Sequence, residues 1–265
     1  MNLFYIYFIS SYYLYSSIGL IIDIFASDIR INPLNNKLVK SKYLDVYENV
    51  FSNVIIKSIP PFVFAELMYL NYTNNTTIIS YIFQYIFTLC LGFNIDYLIN
   101  RFKHSKYFYK YHKKHHEQTD LFGFMTYYMN DYDFYISLIP VLFPVLFRFN
   151  PTIVNLWICM YMYKEIFIDH CNISDFGTGY YIHHNIENNN YGLTIIDNWF
   201  NTLNTNLDSI VKKNDSNSNI KKLPPTNNYR CYSYLCKTTN NKCYSPRCQH
   251  NYKYLEGKLH YSNFF

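Results

Sequence analysis

The sequence predicts an all-α integral membrane protein, built from two transmembrane helical hairpins behind an N-terminal anchor helix and closed on its cytosolic side by a histidine-rich cap. Three observations carry that prediction. Only 15% of the 265 residues are charged, against roughly 25% in a soluble domain. The apolar residues gather into stretches long enough, singly or in pairs, to enter or cross a bilayer. Seven of the nine histidines fall between those stretches or directly after them.

The elements follow in chain order. Residues 3–25, LFYIYFISSYYLYSSIGLIIDIF, are almost uncharged and of bilayer-spanning length. A signal peptide would begin with a basic segment, which is missing, although Phe25-Ala26-Ser27 is a passable cleavage sequence. Residues 1–27 are therefore expected to form an anchor. A first hairpin is expected from residues 50–70 and 77–99, with Pro60-Pro61 kinking its first arm. A second is expected from 134–148 and 152–169, joined by a turn at Asn150-Pro151. Together these make a membrane domain over about 45–203. Residues 204–265 are rich in Asn, Lys and Ser and are expected to be poorly ordered.

Charge placement orients the hairpins. The segments 26–49, 100–133 and 170–265 hold 20 of the 23 Lys and Arg, while the intervening turns 71–76 and 149–151 hold none. Basic residues mark the cytosolic side. The sequons beginning at Asn71, Asn74 and Asn75 then fall on the luminal side. With the lysines in connections rather than on one aromatic-lined face, and a net charge of only +5, nucleic-acid binding is not expected.

The histidines are the chemistry-bearing feature. In KYHKKHHEQTD, His112, His115 and His116 stand at i, i+3 and i+4 and share one helical face. His104 lies two turns earlier, His170 ends the last apolar stretch, and His183-His184 follow as a pair. Neutral imidazoles converging from several elements suit iron, zinc or copper, not calcium or magnesium. Seven exceed the needs of one ion, so two are expected, which makes the cap a metal-binding one. Asp131, Asp133 and Glu165 flank the same face as supports for the ligands. The tail cysteines Cys231, Cys236, Cys243 and Cys248, with His250, are spaced more loosely than zinc pairs. They read as free thiols, palmitoylation sites or incidental usage. The odd total of seven cysteines does not suit a disulfide framework. No Gly-rich phosphate loop or Ser-His-Asp arrangement is visible.

RFKHSKYFYKYHKKHHE, then IDH, then YYIHHNIENNNYGLTIIDNWFNTL resemble the fatty acid hydroxylase superfamily, the membrane di-iron proteins that include sterol desaturases, C4-methylsterol oxidases and cholesterol 25-hydroxylase. Its HxxHH box is matched by His112, His115 and His116, and its isolated histidine by His170. Its Asn-Tyr-Gly is matched by Asn190-Tyr191-Gly192, and its Trp-Asp ending is echoed by Asp197 to Thr202. Two positions depart from the pattern. Asn100 stands where the first box opens with His, and Tyr180 where the second HxxHH box does. The resemblance implies a centre of two iron ions held by His104, His112, His115, His116, His170, His183 and His184; at the two departing positions either Asn100 and Tyr180 serve as weak oxygen ligands or water fills the gaps. It implies O2-dependent hydroxylation or desaturation of a sterol or fatty acyl C–H bond, with no catalytic residue beyond the metal ligands. Electrons would come from NAD(P)H through cytochrome b5 or a reductase, because no flavin or nicotinamide motif is present. The setting implied is the endoplasmic reticulum or another intracellular membrane. The alternative is a relative with an incomplete ligand set, serving as a membrane lipid-binding or scaffold protein.

Overall fold

A computed structural model of the chain describes residues 3–25, 36–73, 77–117, 121–171, 173, 178–185 and 189–204. The cysteine-bearing tail, the sequon asparagines at 74 and 75 and the cleavage sequence at Ala26-Ser27 lie outside the described residues. Among the described residues the structure is helical and carries no β-sheet. In order come α1 (Phe4–Phe25), α2 (Asn36–Phe51), a π-helical turn (Ser52–Lys57) and α3 (Ile59–Met68). Then follow α4 (Ile78–Lys103), α5 (Tyr109–His116), a 3-10 turn (Gly123–Tyr127) and α6 (Asp131–Leu146). The last elements are α7 (Pro151–Tyr163), a second π-helical turn (Lys164–His170), α8 (Thr178–Asn185) and α9 (Thr194–Trp199).

Three of these runs are long and apolar enough to cross a membrane: Phe4–Phe25, Val46–Met68 and Ile78–Lys103. On α4 the apolar side chains of Ile78, Ile79, Ile82, Phe83 and Ile86 face outward, as they would toward lipid.

Helix starts follow from their caps. Thr77 accepts a hydrogen bond from the Ser80 amide at 3.2 Å and opens α4. Asn130 accepts from the amides of Tyr132 and Asp133 at 2.9 and 3.4 Å and opens α6. Asn150 accepts from the Thr152 amide at 2.9 Å and opens α7, with Pro151 at the first helical position, where a missing N–H is harmless.

The packing departs from the expected pairing in one respect. Residues 50–70 and 77–99 follow one another through a turn, but they share only α6 as a main packing partner. Helix α3 rests on α1 and α6, whereas α4 rests on α6 and α7. The N-terminal helix is the reason. Its buried side Phe4, Phe8, Ser11, Tyr12, Ser16 and Gly19 lies along α7 and α3, so the anchor is a member of the bundle. Just before Pro60-Pro61, where a kink is expected, the helix widens into the π-helical turn Ser52–Lys57. There Ser58 Oγ donates to the Val54 carbonyl at 2.5 Å, and Pro60 enters the first turn of α3, which needs no donor.

The turns after α3 and after α6 are tied to each other. Tyr69 donates to the Phe149 carbonyl at 2.6 Å, Tyr81 to Asn150 Oδ1 at 3.1 Å, and the Asn150 amide to Gln84 Oε1 at 2.7 Å. At the opposite ends of the helices, the C-terminus of α4, the N-terminus of α6 and the end of the Lys164–His170 turn converge with α5 and α8. The histidines lie there.

Candidate metal centre

The seven histidines named from the sequence assemble into two groups. His104, His112, His116 and His183 form one, and His115, His170 and His184 the other; within each, the ligand nitrogens lie within 4.8 Å of one another. The helical spacing explains the sorting. On α5, His112 and His116 are one turn apart and project together, while His115 turns toward the second group. On α8, the adjacent His183 and His184 point to different groups. The stacked rings of His116 and His184, with centroids 4.5 Å apart, join the two groups into one centre.

Four imidazoles have their orientation fixed from behind. His112 Nδ1 lies 2.8 Å from Asp133 Oδ2. His115 Nδ1 lies 3.3 Å from the Tyr128 carbonyl, His170 Nδ1 2.6 Å from the Glu165 carbonyl, and His183 Nδ1 2.7 Å from the Asn189 carbonyl. Carbonyl and carboxylate oxygens only accept, so Nδ1 carries the proton in each ring and Nε2 presents a bare lone pair. The Nε2 atoms of His115 and His170 then face each other at 3.3 Å without a proton between them. Nε2 atoms also approach at 3.2 Å between His104 and His183 and at 3.1 Å between His112 and His116. Adjacent ligands on an ion bound at about 2.0–2.1 Å stand about 3 to 3.4 Å apart, so these separations fit a cation between the nitrogens.

Burial keeps the rings neutral and ligand-competent. Desolvation, reinforced by the neighbouring histidines, lowers His104 to about 2, and desolvation lowers His170 to about 3. The same cause holds His112, His115, His183 and His184 well below the ordinary imidazole range. Both ring nitrogens of His184 are buried with no hydrogen-bond partner among the described residues, as is Nδ1 of His104. A buried polar atom left without a partner is costly, and a bound cation would supply one. The donor set is neutral nitrogen, which fits a transition-metal ion.

Around the rings the backbone is locked. Tyr12 donates to the Phe124 carbonyl at 2.6 Å, and Asn53 Nδ2 donates to the carbonyls of Tyr127 and Met129 at 2.9 and 3.0 Å, fixing the segment that carries Tyr128. After α8, Asp197 accepts from the amides of Tyr191 and Gly192 at 2.8 and 3.1 Å and from Thr202 Oγ1 at 2.8 Å. This gives the Asn-Tyr-Gly and the Asp-to-Thr segments a structural reason: they close one loop on each other beside His183. Asn190 sits there at φ 54°, a left-handed conformation that asparagine tolerates.

Comparison with family models, with curated proteins and with solved structures finds no match.

The two departing positions have different surroundings. Asn100 is buried on α4; its Nδ2 donates to the Tyr191 carbonyl at 2.9 Å, holding the loop after α8. Tyr180 packs its ring on His170, His183 and His184, with centroids 4.8, 5.0 and 5.1 Å away. Of the flanking carboxylates, Asp133 holds His112 directly. Glu165 contributes through its backbone carbonyl, and Asp131 pairs with Lys57 at the periphery.

Sequence reasoning missed the buried charges. Lys103 pairs with Asp133 at 3.0 Å and reaches Ser137, and Lys164 pairs with Asp96, Glu165 and Asp169 at 2.5, 2.9 and 2.6 Å. The signal was present for Asp96 and Lys164, ionisable residues inside otherwise apolar stretches. Lys103 was hidden within a basic run. A polar cavity of about 20 Å³, lined among others by Asp96, Asn100, Lys103, His115 and Tyr180, lies between these pairs and the histidines. It has room for a water-sized molecule.

Proposed function

We propose that the chain is a membrane-bound, O2-dependent di-iron hydroxylase or oxidase acting on a C–H bond of a sterol or other lipid. The observation that carries this reading is the pair of adjacent histidine groups, four and three, gathered at the C-terminal end of the membrane-length helix Ile78–Lys103. Two ferrous ions there would supply reduction of O2 and oxidation of an unactivated C–H bond. His104, His112, His116 and His183 would hold one ion, and His115, His170 and His184 the other.

The chain's own part is orientation and exclusion. Asp133 and the carbonyls of Tyr128, Glu165 and Asn189 keep Nε2 of four rings aimed inward. Of the seven rings all but His104 are buried, so the centre is shielded from bulk water. The carboxylates of Asp133 and Asp169, next to ligands, are each paired with a buried lysine, Lys103 and Lys164. The small polar cavity suits O2 or water and not a lipid, so the reacting carbon must enter by parting the helices that line it. A histidine-rich cap facing the cytosol agrees with the basic connections. Arg101, Lys106, Lys110 and Lys113 are exposed around the cap and would favour an acidic electron-transfer protein, with cytochrome b5 or a reductase delivering electrons from NAD(P)H. An intracellular membrane such as the endoplasmic reticulum is the setting this requires.

The test is the iron content of detergent-purified protein, with lipid profiles of cells expressing the wild type or His115→Ala. Two irons per chain and a lipid change abolished by His115→Ala support the reading; an iron-free wild type with an unchanged profile overturns it. The second reading is a lipid-binding or scaffold protein on a decayed oxidase, favoured by the engagement of Asn100 elsewhere. It expects the iron-free outcome.

A further inference from the structure

The two histidine groups are unequal, and the inequality has an address. Helices α5 and α8 carry one spacing, His112-x-x-His115-His116 and Tyr180-x-x-His183-His184. On α5 the three histidines divide between the groups. On α8, His183 joins the four-histidine group and His184 the three-histidine group. The leading position of α8 is Tyr180, one turn before His184 and on the same face. Its ring packs on two of the three members of the smaller group, His170 at 4.8 Å and His184 at 5.1 Å, and on one of the four in the larger, His183 at 5.0 Å. With the third member, His115, it lines the polar cavity, and it is buried at 8% exposure. Asn100, the other departure, is on α4 and not on this repeat, and its Nδ2 donates to the Tyr191 carbonyl.

We propose that Tyr180 is the fourth protein ligand of the ion held by His115, His170 and His184, through its phenol oxygen. This rests on the two-metal reading above. On binding, the O–H bond ionises, the oxygen's electron pair bonds the cation, and the proton leaves through the polar cavity to solvent; no oxidant is needed. The phenolate adds one negative charge to a set of neutral donors, so it stabilises the trivalent state of an iron ion over the divalent. The two halves of the centre then differ in redox character.

The experiment loads the purified full chain with ferrous ammonium sulfate and oxidises it with ferricyanide. Iron count, visible absorption and resonance Raman spectra are then measured. Wild type is expected to hold two irons and to show a tyrosinate-to-ferric charge-transfer band with tyrosinate ring vibrations that shift on ring-deuterated tyrosine. Tyr180→Phe loses the band and binds its second iron more weakly, and Tyr180→His keeps both irons without the band. Two irons with no band in the wild type, or a band that survives in Tyr180→Phe or Tyr180→His, overturns the assignment alone. Fewer than two irons in the wild type overturns it together with the two-metal reading, so the iron count separates the two failures.

Discussion

Asp133 stands between His112 and Lys103, one oxygen 2.8 Å from the imidazole and the other 3.0 Å from the ammonium, with the carboxylate fully buried. It therefore fixes the His112 tautomer and neutralises a buried cation at once. Asp133→Asn is expected to weaken iron binding about 10–100-fold through the first role. Through the second it should lower stability by about 3–5 kcal/mol, because Lys103 is left without a counter-charge. Adding Lys103→Met should restore the melting temperature but not the iron affinity; recovery of both would mean that Asp133 does not orient His112. Asn100 offers the opposite case. Asn100→Ala leaves the buried Tyr191 carbonyl without its donor and should cost about 1–3 kcal/mol, seen as a lower melting temperature with iron content unchanged. A loss of iron would instead make Asn100 a ligand. The seven histidines were legible in the sequence because imidazole is rare and chemically specific. The carbonyls of Tyr128, Glu165 and Asn189 were not, since every residue owns one and only the fold decides which faces a ring.

Helix α6 carries Pro140 and Pro144, and a proline cannot donate to the carbonyl four residues before it. The Pro140 carbonyl is orphaned by Pro144, and Trp157 Nε1 of α7 donates to it at 2.9 Å. The break in one helix is thus repaired by its neighbour, which also fixes the register of α6 on α7. The same indole lies over Gly92 of α4, where an added Cβ would run into the rings of Trp157 and Phe143. Gly92→Val is expected to force α4 from α6 and α7 at about 1–3 kcal/mol, read as a lower melting temperature. Trp157→Phe in the same chain should relieve the clash only in part, because the Pro140 carbonyl then goes unpaired. If Gly92→Val melts like wild type, the close approach is wrong. Element positions were legible from apolar length and caps such as Asn150-Pro151. Their partners were not: the exchange of α4 for α1 beside α3 depends on which faces meet, and mixed Tyr, Phe and Ile stretches such as 4–25 carry no strong one-sided pattern. Pro60 and Pro61 fall in the first turn of α3, where no intrahelical donor is needed, and the π-helical turn before them was not legible in the sequence.

At the scale of the whole molecule, the buried histidines couple folding to pH and, on the proposed reading, to metal. In the folded chain His104 is lowered to about 2 and His170 to about 3, and His112, His115, His183 and His184 are lowered too. In the unfolded chain each returns to about 6.5. Between those limits the unfolded state binds protons that the folded state does not, so stability rises with pH through the window and levels off above about 6.5. The sign is fixed: acid removes stability and neutral pH retains it. Each such histidine contributes up to about 1.4 kcal/mol per pH unit, and several acting together make the loss steep. Metal adds to it, because protons and cations compete for the same Nε2 lone pairs. In detergent, the melting temperature of the iron-loaded chain is expected to be flat above about pH 7 and to fall sharply below about 6.5. Chelation should lower the plateau, as removal of a ligand bound only by the folded state must, while the acid limb keeps its direction. His183→Ala should make that limb shallower, since one proton-binding difference is gone. A melting temperature unchanged between neutral pH and about pH 5 would mean that these imidazoles reach solvent in the folded chain, and a centre closed around two ions would then be ruled out.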